Sequence, residues 1–172
     1  MPINTKYSAS SYQQCDGTNF TTAGVDNSMK VGNGNMGVYT GIGMTFDGKP
    51  ASAVIDLKGS MPYGESCVSG GFRVRNNLNE NGQSVQFRVQ PATVTIPVSN
   101  KTSIYTTPYV AAKVNYKNGD MNTAVGNFTG VSTKIGNASV FVEGQIYDVT
   151  KVNAGTTSVN VGVSIPINGG KK

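Results

Sequence analysis

Residues 157–167 read TSVNVGVSIPI. Taken in steps of two, Thr157, Val159, Val161, Val163, Ile165 and Ile167 fall on one side, and Ser158, Asn160, Gly162, Ser164 and Pro166 on the other. Successive side chains of a β-strand point to opposite faces, so this segment is apolar on one face and polar on the other. The same period recurs through much of the chain, and none of the apolar faces carries Asp, Glu, Lys or Arg. Strands of this kind have to bury one face, either in a soluble core or against lipid.

Working outward, eight candidate strands follow from residue 35 onward, at 36–46, 51–61, 68–76, 84–98, 102–117, 122–135, 138–149 and 157–167. Asp47-Gly48-Lys49-Pro50, Asn79-Glu80-Asn81-Gly82, Asn118-Gly119-Asp120 and Gly136-Asn137 supply turns between them. The apolar parity flips near Gln90-Pro91, from Val85, Phe87, Val89 to Val94, Ile96, Val98, which predicts a bulge where proline's missing N–H is tolerated. Residues 1–34 are rich in Ser, Thr, Asn, Gln and Gly without sustained alternation, and are expected to form an irregular arm with at most a short strand near 19–23. Residues 35–168 then form the domain and 169–172 a polar tail. Short connections between neighbouring strands imply an all-β, eight-stranded antiparallel up-and-down β-barrel, with an antiparallel β-sandwich or jelly roll as the alternative.

Composition narrows the function. The chain has 172 residues, 13% of them charged, and contains 22 glycines but no His and no Trp. Without His the commonest general base and metal ligand are missing, and two cysteines cannot build a four-thiolate site. Asp16-Gly17-Thr18-Asn19 and Asn118-Gly119-Asp120 fall short of a calcium cage, and Gly32-Asn33-Gly34 lacks the helix and Lys-Ser/Thr of a phosphate loop. The expectation is therefore a non-enzymatic protein with no catalytic, cofactor-binding or metal-binding residues. The net charge is +5, but the basic residues are scattered, which argues against a nucleic-acid partner. No apolar signal core follows Met1, and no apolar run reaches the ~18 residues of a transmembrane helix.

Cys15 and Cys67 form an even pair. Bonded, they would stabilise the fold by about 4 kcal/mol and imply an oxidising compartment; unbonded, they are two ordinary thiols. If the apolar faces meet lipid, the polar faces line a lumen. Asp56, Lys58, Arg73, Arg75, Arg88, Lys113 and Glu143 are then candidates for a lumen charge network, pairing Glu143 with Lys113 and Asp56 with Lys58. Tyr105, Tyr109, Tyr116 and Tyr147 are candidates for anchoring at the membrane–water interface.

The segments TPYVAAKVNY (107–116), GVSTKIGNASVFVEGQIYDV (130–149) and TTSVNVGVSIPI (156–167) resemble the closing strands of small, eight-stranded bacterial outer-membrane β-barrel proteins. In that family a strand ending in a tight Gly/Asn turn precedes one bearing an inward Glu, here Glu143, and a final alternating strand closes the barrel. The chain departs from the family by ending INGGKK rather than in an apolar aromatic residue. The resemblance implies residence in the bacterial outer membrane, membrane lipid as partner, and a structural, adhesive or weakly porous role. The alternative is a soluble β-sandwich that self-associates or assembles with other structural subunits, such as a virion decoration protein or an extracellular filament subunit.

Overall fold

The computed structural model describes residues 3–14, 19–78, 83–150 and 156–167, without the side chains of 12–14, 19, 20, 166 and 167. Ten strands run in chain order: β1 (Ile3–Gln14), β2 (Asn19–Val31), β3 (Gly34–Thr45), β4 (Pro50–Tyr63), β5 (Ser66–Asn77), β6 (Ser84–Pro97), β7 (Thr102–Asn115), β8 (Met121–Ile135), β9 (Ala138–Ile146) and β10 (Thr157–Ile167). Each pairs antiparallel with its neighbours, and β1 pairs with β10, so one sheet closes on itself. A closed sheet has no edge strand, and every ladder group finds a partner within the wall. The barrel replaces both the expected eight strands and the sandwich alternative, which needs two separate sheets.

The two additional strands come from the segment expected to be an irregular arm. β1 and β2 pair along nearly their whole lengths, from Ile3↔Met29 to Gln13↔Asn19. Their outward positions are Thr5, Ala9, Ser11, Thr21, Ala23 and Asn27 among few bulky apolar residues. Small and hydroxyl-bearing side chains give little contrast with a polar inner face, so the alternation is present in the backbone but faint in the sequence. The other bounds agree with expectation to within a few residues, and β10 matches it. The register shift between Val89 and Val94 of β6 places the bulge where the parity flips.

One circuit along the ladder from Gln14 passes Ser158, Gln145, Phe128, Thr107, Thr93, Ser69, Ser60 and Asn35 and returns at Lys30, beside Ile3 at the foot of the same strand. The strands are therefore strongly tilted, as closure requires. At about 40° of tilt and ~3.3 Å per residue, the 11 residues of β10 cover roughly 28 Å of axis.

Two- to four-residue turns join the strands at the end where the chain starts and stops: 32–33, 64–65, 98–101 and 136–137. Three of these place glycine in the left-handed region, Gly32 at φ 58°, Gly64 at φ 59° and Gly136 at φ 60°, as tight hairpins demand. At the opposite rim the connections run from four to ten residues: 15–18, 46–49, 78–83, 116–120 and 147–156.

Candidate functional site

Burial in this barrel is inverted relative to a soluble protein. The buried apolar residues among those described are Ala51, Val54, Tyr109, Ala111 and Phe128, whereas Thr22, Ser52, Asp56, Ser84, Arg88, Thr107, Gln145 and Ser158 are buried although polar. Val38, Ile42, Ile55, Leu57, Val110, Val142, Val159, Val161 and Ile165 stand exposed, part of a continuous outward belt. All 11 charged residues within the strands, eight basic and three acidic, share the parity of the inward positions. The polar groups that do face outward bond to one another: Thr5 Oγ1 donates to Asn27 Oδ1 at 2.8 Å, Thr106 Oγ1 to Asn127 Oδ1 at 3.1 Å, and Asn127 Nδ2 to Thr129 Oγ1 at 2.9 Å.

Inside, aromatic and long polar side chains fill the half of the bore under β6–β9. The guanidinium of Arg88 lies 4.1 Å from the ring centre of Tyr109 and 4.7 Å from that of Phe128, and these two rings meet in a tilted arrangement with centres 4.9 Å apart. The Tyr109 hydroxyl donates to the Ile146 carbonyl at 3.2 Å and accepts from Gln145 Nε2 at 2.8 Å. Glycines make room for the rings. A side chain at Gly126 would overlap Tyr109, one at Gly130 would overlap Tyr105, and one at Gly162 would overlap Phe141. This ring-over-glycine packing escaped the sequence analysis, although Gly126 facing Tyr109 and Gly130 facing Tyr105 were its visible signal.

The bore also holds a cavity of about 340 Å³, lined by Ser8, Ser10, Thr22, Asp56, Arg75 and Glu143 among others. A second hollow of about 390 Å³ at the strand feet, bounded by Asn4, Lys6, Ser28 and Asn35, shares Asp26 and Lys58 with it. Asp26 and Lys58 form an ion pair, so a salt bridge stands where the two spaces adjoin.

The residues of the expected charge network share the inward parity, but their pairing differs from the expected one. Asp56 binds Arg73, through Nε at 3.1 Å and through Nη2, rather than Lys58. Lys58 goes to Asp26, which the sequence analysis did not single out. Glu143 accepts from the Tyr105 hydroxyl at 3.0 Å and from Asn160 Nδ2 at 2.8 Å, not from Lys113, which stands exposed near the long-loop rim. The cause is register: Asp56 lies directly across from Arg73 and Glu143 from Asn160.

The interface tyrosines divide. Tyr109 is 1% exposed and Tyr105 lines the cavity, so both face inward and neither anchors the outer surface. Tyr147 follows β9 at inward parity and is half-buried. Tyr116 alone is at the long-loop rim facing outward, its hydroxyl donating to Asn76 Oδ1 at 3.0 Å. Tyr63 at the feet and Phe46 at the opposite rim are outward or rim aromatics that sequence reasoning did not single out.

Cys67 is a free thiol near the foot of β5. Cys15 lies outside the described residues, but Gln14, which precedes it, is at the far rim from Cys67. The expected Cys15–Cys67 bond falls on a residue outside those described. Of the two segments weighed and rejected as calcium sites, the second, Asn118-Gly119-Asp120, forms the β7–β8 turn, and no metal-ligand cluster occurs among the described residues. The first lies mostly outside them, as does the polar tail.

No family model matches this chain, and no curated protein matches it in sequence. Solved structures similar to it include a de novo designed transmembrane β-barrel, at 13% identity over 97% of this chain and 98% of that one, with a TM-score of 0.45. A loop-deletion form of OmpT, an outer membrane protein of Vibrio cholerae, matches at 15% identity over 87% of this chain, with a TM-score of 0.45, and this chain spans about half (54%) of its length. The β domain of the Bordetella autotransporter BrkA matches at 8% identity over 95% of this chain and 98% of that one, with a TM-score of 0.40. Likeness at this level concerns barrel architecture alone.

Proposed function

We propose that this chain is a non-enzymatic β-barrel of a bacterial outer membrane, with lipid around its belt and a structural or adhesive role carried by its long-loop rim. The inverted burial is the observation that carries this reading. A folded soluble monomer rarely exposes an apolar patch beyond a few hundred Å², and here large apolar residues stand exposed on the outer face of strand after strand from β3 to β10. In hydrocarbon the same belt is at its free-energy minimum, and closure leaves no backbone group unpaired there. A height of roughly 28 Å suits the ~25 Å apolar band of such barrels. Barrels of this class carry short turns on the periplasmic side and longer loops outside, which orients the feet, with both described chain ends, toward the periplasm.

The crowding of one half of the bore by Arg88, Tyr109, Phe128 and Gln145 favours a structural role over an open channel. Refolding tests the reading. Protein recovered from inclusion bodies should fold in detergent micelles or vesicles to a β-rich form that migrates differently in electrophoresis before and after boiling. Protein that folds as a soluble monomer without any amphiphile would contradict it.

A further inference from the structure

We propose that the bore contains a binding site for a small oxyanion, phosphate-like or carboxylate, at Arg75 on the wall of its cavity, with Arg73 beside it and Arg88 buried behind. Three arginines occupy two adjacent strands. Arg73 on β5 lies directly across from Arg88 on β6, and Arg75 is one inward position further along, across from Gln86. Like charges opposed across a ladder repel, yet only one of the three has a carboxylate, Arg73 with Asp56. The other inward acids are engaged elsewhere, Asp26 with Lys58 and Glu143 with Tyr105 and Asn160.

Arg75 and Arg88 are left without a carboxylate among the described residues. The Nε atoms of both are buried and lack a hydrogen-bond partner. Arg88 is 1% exposed, and its hydrogen bond to Gln86 is long, at 3.4 Å. The faces of Tyr109 and Phe128 offset part of its charge, but a ring quadrupole does not replace a counter-ion. A buried, unpaired cation is among the costliest arrangements in a protein. The excess is general on the inner face, where eight basic residues meet three acidic ones. Lys30, Lys113 and Lys134 are exposed, whereas Arg75 is half-buried and Arg88 buried.

Arg75 faces the 340 Å³ cavity, whose wall also offers the hydroxyls of Ser8, Ser10 and Thr22. That volume accepts a tetrahedral or planar oxyanion, and the guanidinium fork matches two oxygens of either. Asp56 and Glu143 also line the cavity, which limits the ligand to one small enough to stay at the arginine wall and excludes extended polyanions. The hollow at the strand feet adjoins this cavity at Asp26–Lys58. The site depends on the bore and not on what surrounds the barrel, so its failure and that of the membrane reading are separable.

The test is titration of the folded barrel, in non-ionic micelles, with inorganic phosphate and in parallel with formate, ionic strength being held constant with chloride. Binding is read by calorimetry and by thermal unfolding. Wild type should bind at least one of the two saturably. Arg75→Gln should lose at least tenfold in affinity, while in chloride alone it unfolds no earlier than wild type, because repulsion from Arg73 and Arg88 has been removed. Arg75→Lys, which keeps the charge and loses the fork, should fall between them, and Lys113→Gln at the rim should bind as wild type does. No saturable binding of either anion by wild type, or equal affinity in Arg75→Gln, would overturn the proposal.

Discussion

Gly126 shows how much depends on single positions in the bore. Its missing side chain is the space that Tyr109 occupies, with the Ile146 carbonyl also at hand. Gly126→Ala should therefore destabilise the barrel by about 1–3 kcal/mol, the usual cost of overpacking a filled interior. Gly144→Ala should change stability little, because the nearest atom a Cβ would meet there, the Thr129 carbonyl oxygen, is 3.9 Å away. Urea unfolding of both variants in micelles checks the contrast. Asp47, in the exposed β3–β4 turn, offers a pH probe outside the belt. A hydrogen bond from Thr45, with help from Lys49, holds its carboxyl below the ordinary value of 3.8. A depressed carboxylate pKa stabilises the turn above the ordinary value, and that contribution is lost as pH falls through the folded value. Carboxyl NMR should find the Asp47 midpoint below 3.8, and Thr45→Val should move it back up. An unchanged midpoint in Thr45→Val would show that the hydroxyl is not the cause.

At the scale of the strands, the outer face of β10 is the plainest case. Val161 stands 47% exposed, level in the ladder with Val142 of β9. In lipid bilayers Val161→Arg should cost about 2–4 kcal/mol, the penalty of a cation near the midplane. A loss within ±0.5 kcal/mol, typical of a water-facing position, would count against lipid there. The strands also show what was legible in advance. β3 through β10 were readable because bulky β-branched and aromatic residues alternate with Gly, Ser and charged residues. β1 and β2 were not, because Thr, Ala and Ser occupy outward positions where contrast was needed. The inward location of the charges was readable from parity alone. Their partners were not, because which acid meets which base depends on register between strands, and the same holds for Tyr105 and Tyr109, whose inward parity was visible while their fit over Gly130 and Gly126 was not.

For the molecule as a whole, the central question is what the outer belt touches. The chain contains no Trp, so one introduced indole reports on one place without background. Phe141 and Val142 are adjacent in β9, at similar depth on opposite faces: Phe141 lines the cavity, and Val142 stands 51% exposed in the belt. The decisive measurement is fluorescence quenching of Phe141→Trp and Val142→Trp, each folded into vesicles of lipid brominated along its acyl chains. Strong quenching of the indole at 142 with little at 141 is the expected result. Equal response at the two positions, or no quenching at 142, would contradict a barrel whose apolar face is turned to lipid.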